Sequence, residues 1–156
     1  MRQVAIQKLE RLVAEVTVLH SKLILLVGSQ REGASTVLVK FGKHVEKGVL
    51  NVGLELGKCL AALSQKQRPL QVGALLRELT DKHASGDLLL LNNIELLFDK
   101  NLQLDPLDLL KRLAQTRRVV AVWPGASNDG RLTYAEMGHP EHQDYAVTGF
   151  VPFEVK

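Results

Sequence analysis

The stretch LILLVGSQREGAST at residues 23–36 constrains the fold more than any other part of the chain. A short apolar run, Leu23-Ile24-Leu25-Leu26-Val27, stops at Gly28. Four residues intervene before Gly33, which is followed by Ala34-Ser35-Thr36 and a segment of helical periodicity. A strand feeding a glycine-bounded loop and then a helix can cradle an anion. The first N–H groups of a helix have no partner within it, and the helix dipole favours negative charge there. The pattern agrees with G-x-x-x-x-G-K-[ST] at both glycines and at Ser35, and departs from it at position 34, where Ala replaces Lys. Gly28, Ser29, Gly33, Ala34, Ser35 and Thr36 are therefore the candidate nucleotide-binding residues, with Ser35 as the hydroxyl that would meet Mg2+. Alanine cannot neutralise phosphate charge, so weakened nucleotide binding and lost hydrolysis are expected. Without the lysine the same residues also fit a purely structural strand-to-helix turn.

Apolar runs alternate with amphipathic segments along the rest of the chain. Residues 4–19 carry Ile6, Leu9, Leu12, Val13, Val16 and Leu19 at helical spacing. A helix is expected over 35–47, stopped by Gly48, then a short strand at 49–53 and helices over 54–63 and 70–83, with a polar loop at 64–69. The run Leu88-Leu89-Leu90-Leu91 reads as a strand buried on both faces of a parallel sheet. Asp105 and Pro106 are an N-cap and first-turn pair that opens a helix through Gln115. A strand at 119–123 ends in Trp123, which is expected in the core or on a cleft wall. Residues 124–131 read as loop and 132–144 as polar and irregular. A last strand near 151–155 is placed at an edge by Pro152. This alternation predicts an α/β fold with a parallel sheet of about five strands sandwiched by helices. One domain fills the 156 residues: a helix at 1–20, a core at 21–131, and a C-terminal loop and strand at 132–156.

A phosphate loop needs a second strand that ends in a group able to orient Mg2+ and its water. The run at 88–91 is that strand, but Asn92 and Asn93 stand where acids would. Asn92 can hold Mg2+ only through water and without charge. Glu95 is the nearest carboxylate and Glu55, just after the second strand, is another candidate to position the attacking water, although each reads more readily as an exposed helix residue. Arg117 and Arg118 are candidate trans arginine fingers for a neighbouring subunit, or else solvated. His139, His142 and Asp144, near Glu136 and Glu141, match no common zinc spacing and read as a polar loop. No Ser/His/Asp or Cys/His arrangement is visible.

A net charge of +3 is too mild to mark a dedicated nucleic-acid binder. Direct DNA contact would rest on Lys66, Arg68, Lys111, Arg112, Arg117 and Arg118. The lone Cys59 suggests a reducing compartment. The N-terminus does not read as a secretion signal, and no apolar run approaches the ~20 residues that span a bilayer, so a cytoplasmic protein is expected.

Several separated motifs together resemble the BrxF family, the small P-loop proteins of type III BREX anti-phage defence systems. They are LNVGLELGKCLAAL at 50–63, QRPLQ at 67–71, LLLLNNIELLFD at 88–99, LQLDPLDLLKRLA at 102–114, VVAVWPG at 119–125 and LTYAEMGHPEHQDY at 132–145. The resemblance implies a P-loop NTPase with an additional strand, of the AAA+/RecA-like kind, that uses ATP and Mg2+. It also implies a homo-oligomer acting with other BREX proteins, with DNA met through that complex. In such a family Gly28, Gly33, Ser35 and Thr36 form the phosphate loop. This chain departs at Ala34, a lesion of decay or of design, and at Asn92-Asn93. Two readings follow: an ATPase impaired at Ala34, or a non-catalytic P-loop-fold adaptor.

Overall fold

A computed structural model describes residues 2–15, 22–28, 31–83, 88–99, 102, 104–123, 126–128, 131–134, 143–146 and 150–155. Its centre is a five-stranded parallel sheet. The strands are β1 (Leu23–Gly28), β2 (Val49–Asn51), β3 (Leu88–Asn92), β4 (Arg118–Val122) and β8 (Val151–Val155), in the spatial order β2-β3-β4-β1-β8. β4 is thus inserted between β1 and β3. β8 forms one edge, where Pro152, opposite Leu25, has one strand neighbour and owes no second ladder bond.

Side chains of successive strand residues point to opposite faces, and here both faces are covered. Leu23, Leu25, Leu89, Leu91, Val119 and Ala121 join one apolar cluster with α3 (Val52–Ala61), α4 (Arg68–His83) and α5 (Pro106–Leu113). Ile24, Leu26, Leu88, Leu90, Val120 and Val122 join the other with α1 (Arg2–Glu15) and α2 (Arg31–His44). This is why the central strands are apolar throughout instead of alternating with polar residues. Trp123 is buried in the first cluster, edge-on to Phe98 with ring centroids 5.3 Å apart.

Local sequence accounts for most element ends. Asp105 caps α5, accepting from the Asp108 N–H at 3.2 Å, with Pro106 in the first turn. Asn51 caps α3, accepting from the Leu54 N–H at 3.0 Å. Gly42 is interior to α2 because a Cβ there would come within 2.9 Å of the Lys47 carbonyl and 3.3 Å of Leu90.

The structure departs from the sequence expectation at several boundaries. α2 starts at Arg31, not at Ser35, and it does not need Gly48 to end. Glu46 takes the left-handed conformation (φ 58°), and the Lys47 N–H reaches back to the Gly42 carbonyl at 2.8 Å. α4 begins at Arg68, since Pro69 is tolerated in a first turn. Residues 94–98 form a 3-10 helix (Ile94–Phe98). The largest correction lies in 124–144, expected to be irregular. β5 (Ala126–Asn128), β6 (Arg131–Tyr134) and β7 (Gln143–Ala146) make a separate antiparallel sheet. Asn128 stands opposite Arg131, so two residues, Asp129-Gly130, join β5 to β6, and that pair is a strong hairpin signal. For the helix expected at 4–19, residues 16–19 lie outside the described residues.

Candidate functional site

All five strands are parallel, so their carboxyl ends share one edge of the sheet, where open α/β sheets place their ligands. Ser35, in the second turn of α2, meets Asn92, the last residue of β3, at this edge. The Ser35 hydroxyl donates to Asn92 Oδ1 across 3.1 Å, and both residues are half-buried. The two positions selected from the sequence as the Mg2+ side of the site are thus in contact. As donors they offer two hard but uncharged oxygens. That set suits a Mg2+ held through its waters better than one ligated directly.

The polar contacts continue along the edge. Asn92 Oδ1 also accepts from the Asn93 N–H at 2.9 Å. Asn93 is left-handed (φ 55°), a conformation asparagine tolerates well, and its Nδ2 donates to Asn51 Oδ1 at 3.0 Å. The Asn93 carbonyl accepts from the Gly53 N–H at 2.9 Å. A Cβ on Gly53 would lie 2.5 Å from Asn93 Nδ2, which is why α3 carries glycine there. Ser35, Asn92, Asn93 and Asn51 therefore form one hydrogen-bonded chain from α2 across the end of β3 to the start of α3. Asn51 and Gly53 were not singled out from sequence, although an Asn at the end of a strand and before a helix is an N-cap signal.

The loop residues divide. Gly28 ends β1. Ser29 lies outside the described residues. Gly33 is in the first turn of α2, half-buried, and a Cβ there would meet Val155 Cγ1 at an ordinary 3.9 Å. Packing among the described residues therefore does not require glycine at 33. Ala34 is fully buried in the apolar cluster shared by α1, α2 and the sheet. Thr36 is half-buried on the next position of α2.

The other candidates are spread out. Glu55 sits in the first turn of α3 and Glu95 in the 3-10 helix that follows β3, both half-buried and both just past carboxyl ends of strands. Arg117 and Arg118 lie at the opposite edge, where β4 begins. Arg117 donates to Asp81 Oδ1 at 2.8 Å and to the Thr80 carbonyl at 3.3 Å. Arg118 donates to the Val13 carbonyl of α1 at 3.3 Å. Both arginines tie elements of their own chain together. Among the described residues no cluster of three His, Cys, Asp or Glu side chains is arranged to hold a metal. His139 and His142, with Glu136 and Glu141, fall outside the described residues. No helix among the described residues is long and apolar enough to cross a membrane. The chain matches no protein-family model, no curated protein and no solved structure.

Proposed function

We propose that the chain is a nucleotide-binding domain of the P-loop type, AAA+/RecA-like in architecture, that holds the phosphates of ATP at the start of α2 and hydrolyses them poorly. The observation that carries this reading is the contact between Ser35 and Asn92. It joins the hydroxyl of a glycine-loop helix to the end of a neighbouring apolar strand, with β4 inserted between β1 and β3 as the additional strand. Gly33 supports it, since its missing Cβ leaves the first turn of α2 open to close approach, and among the described residues only Val155 comes near, at an ordinary 3.9 Å. Backbone N–H groups and the α2 dipole would supply the attraction that Lys does not. Ser35 and Asn92 would face Mg2+, and Glu95 and Glu55 remain the candidates for orienting water. By its resemblance to the BrxF family the protein would serve, in the cytoplasm and as an oligomer, as a subunit of a BREX defence complex and meet DNA through its partners.

Gly33→Ala tests the reading. The fold has room for the methyl group, but a bound phosphate would not. Titration with Mg·ATP should show a several-fold loss of affinity with the unfolding midpoint nearly unchanged. Equal affinity in both proteins, or no binding by either, overturns the proposal.

One observation favours a second reading, the non-catalytic adaptor. α2 starts at Arg31, and Ala34 already closes the apolar cluster, as expected of a strand-to-helix turn that is only structural.

A further inference from the structure

The amino edge of the sheet carries a groove that nucleotide binding does not use. It lies between α4 and α5 and encloses about 460 Å3. Leu76, Leu109 and Leu113 line it, with Arg77, Arg112 and Arg117 around them. Arg117 holds Asp81 at 2.8 Å and Arg112 holds Asp108 at 2.9 Å. Arg77 is exposed, and among the described residues no acid pairs with it. Three guanidinium groups therefore stand against two carboxylates, and the surplus positive charge is on Arg77.

The surface continues along α4. Leu70, Gly73, Arg77 and Asp81 are spaced three, four and four apart, so they share one face of the helix. That face is about 16 Å long at 1.5 Å per residue, longer than a small-molecule pocket requires. Leu70 is 81% exposed, more than the other exposed large apolar side chains among the described residues, Val39 at 40% and Leu54 at 52%. Gly73 sits between Leu70 and Arg77, and a Cβ there would meet nothing within 4 Å. Glycine is among the poorest residues for a helix interior, and no packing among the described residues requires it here. Its effect is to open the backbone of α4 to close approach from outside.

We propose that this groove docks an acidic amphipathic helix of a partner protein. Apolar side chains at i, i+3 or i+4 and i+7 would seat on Leu70, Leu109 and Leu113, crossing α4 at Gly73 above the buried Leu76. A flanking Asp or Glu side chain would face Arg77. Duplex DNA suits the surface less well, because phosphates gain nothing from an apolar floor.

A displayed library of helical peptides, selected on the full chain, tests this. The enriched peptides should be acidic with Leu or Phe at helical spacing. Arg77→Glu should weaken the best binder at least tenfold. Gly73→Ala should raise the thermal midpoint of the free protein yet weaken the same peptide several-fold. Neither residue belongs to the Ser35–Asn92 edge, so ATP affinity should be the same in both variants. Basic or uncharged peptides, no enrichment, or acidic peptides indifferent to Arg77→Glu would overturn the proposal. Loss of self-association in Arg77→Glu would assign the groove to a second copy, and loss of duplex DNA binding would assign it to nucleic acid. Either result also overturns it.

Discussion

The Ser35 hydroxyl and the Asn92 side chain, 57 positions apart in sequence, are hydrogen-bonded at 3.1 Å. The bond fixes the start of α2 against the end of β3. Removing either side should cost stability, and the two losses should not add. Ser35→Ala is expected to cost about 1 kcal/mol. Asn92→Ala should cost about 1–2 kcal/mol, because it also removes the hydrogen bond from the exposed Asn93 N–H. A double-mutant cycle by urea denaturation should give a coupling of about 1 kcal/mol, against about zero for independent sites.

Gly53→Ala should be more damaging than an ordinary glycine replacement in a helix. The new methyl group would lie 2.5 Å from Asn93 Nδ2 and 3.1 Å from the Asn93 carbonyl oxygen. Asn93 would have to release Asn51, and strain of this kind costs about 1–3 kcal/mol. Urea denaturation measures the loss, and an increase in stability would show that Asn93 moves aside freely.

Glu46→Gly should do the reverse. Glu46 holds the left-handed position that ends α2, at φ 58°. Glycine adopts that conformation without a Cβ penalty, so the variant should gain about 1 kcal/mol. A higher urea midpoint with the m-value unchanged is the expected result.

Arg117→Ala separates a structural arginine from a trans finger. The side chain is 21% exposed and holds both Asp81 and the Thr80 carbonyl at the end of α4. Its loss should cost about 1 kcal/mol and speed hydrogen exchange in the last turn of α4. ATP binding should be unaffected. A variant of normal stability with altered ATP turnover would instead make Arg117 a finger.

The core was legible because its strands are fully apolar. Leu23 to Val27, Leu88 to Leu91 and Val119 to Val122 could face only a two-sided interior. Ser35 and Asn92 were each legible as candidates, one from a loop motif and the other as a strand end, but the hydrogen bond between them is a tertiary contact that neither stretch shows. Three features were harder to see. The start of α2 was read from the glycine pattern, although Arg31 and Glu32 are good helix formers that extend it towards β1. The β5–β6 hairpin was hidden by the polar composition of 124–144, which outweighed the Asp129-Gly130 turn signal. The burial of Ala34 is a tertiary fact, because alanine at a helix start fits solvent, ligand or core equally well.

Thermal unfolding of Ala34→Lys, with and without Mg·ATP, tests the central claim most directly. Position 34 is fully buried among apolar side chains. A lysine there must run its stem through that cluster and bring its ammonium out towards the loop, which destabilises the nucleotide-free protein. If the loop binds phosphate, ATP supplies the missing counter-charge, worth about 1.5–3 kcal/mol for charge-assisted hydrogen bonds. The account predicts a variant that melts lower than the parent without nucleotide and is stabilised more strongly than the parent by Mg·ATP. A variant that melts equally low with and without Mg·ATP would contradict the account and leave Ala34 as a core residue of a structural turn.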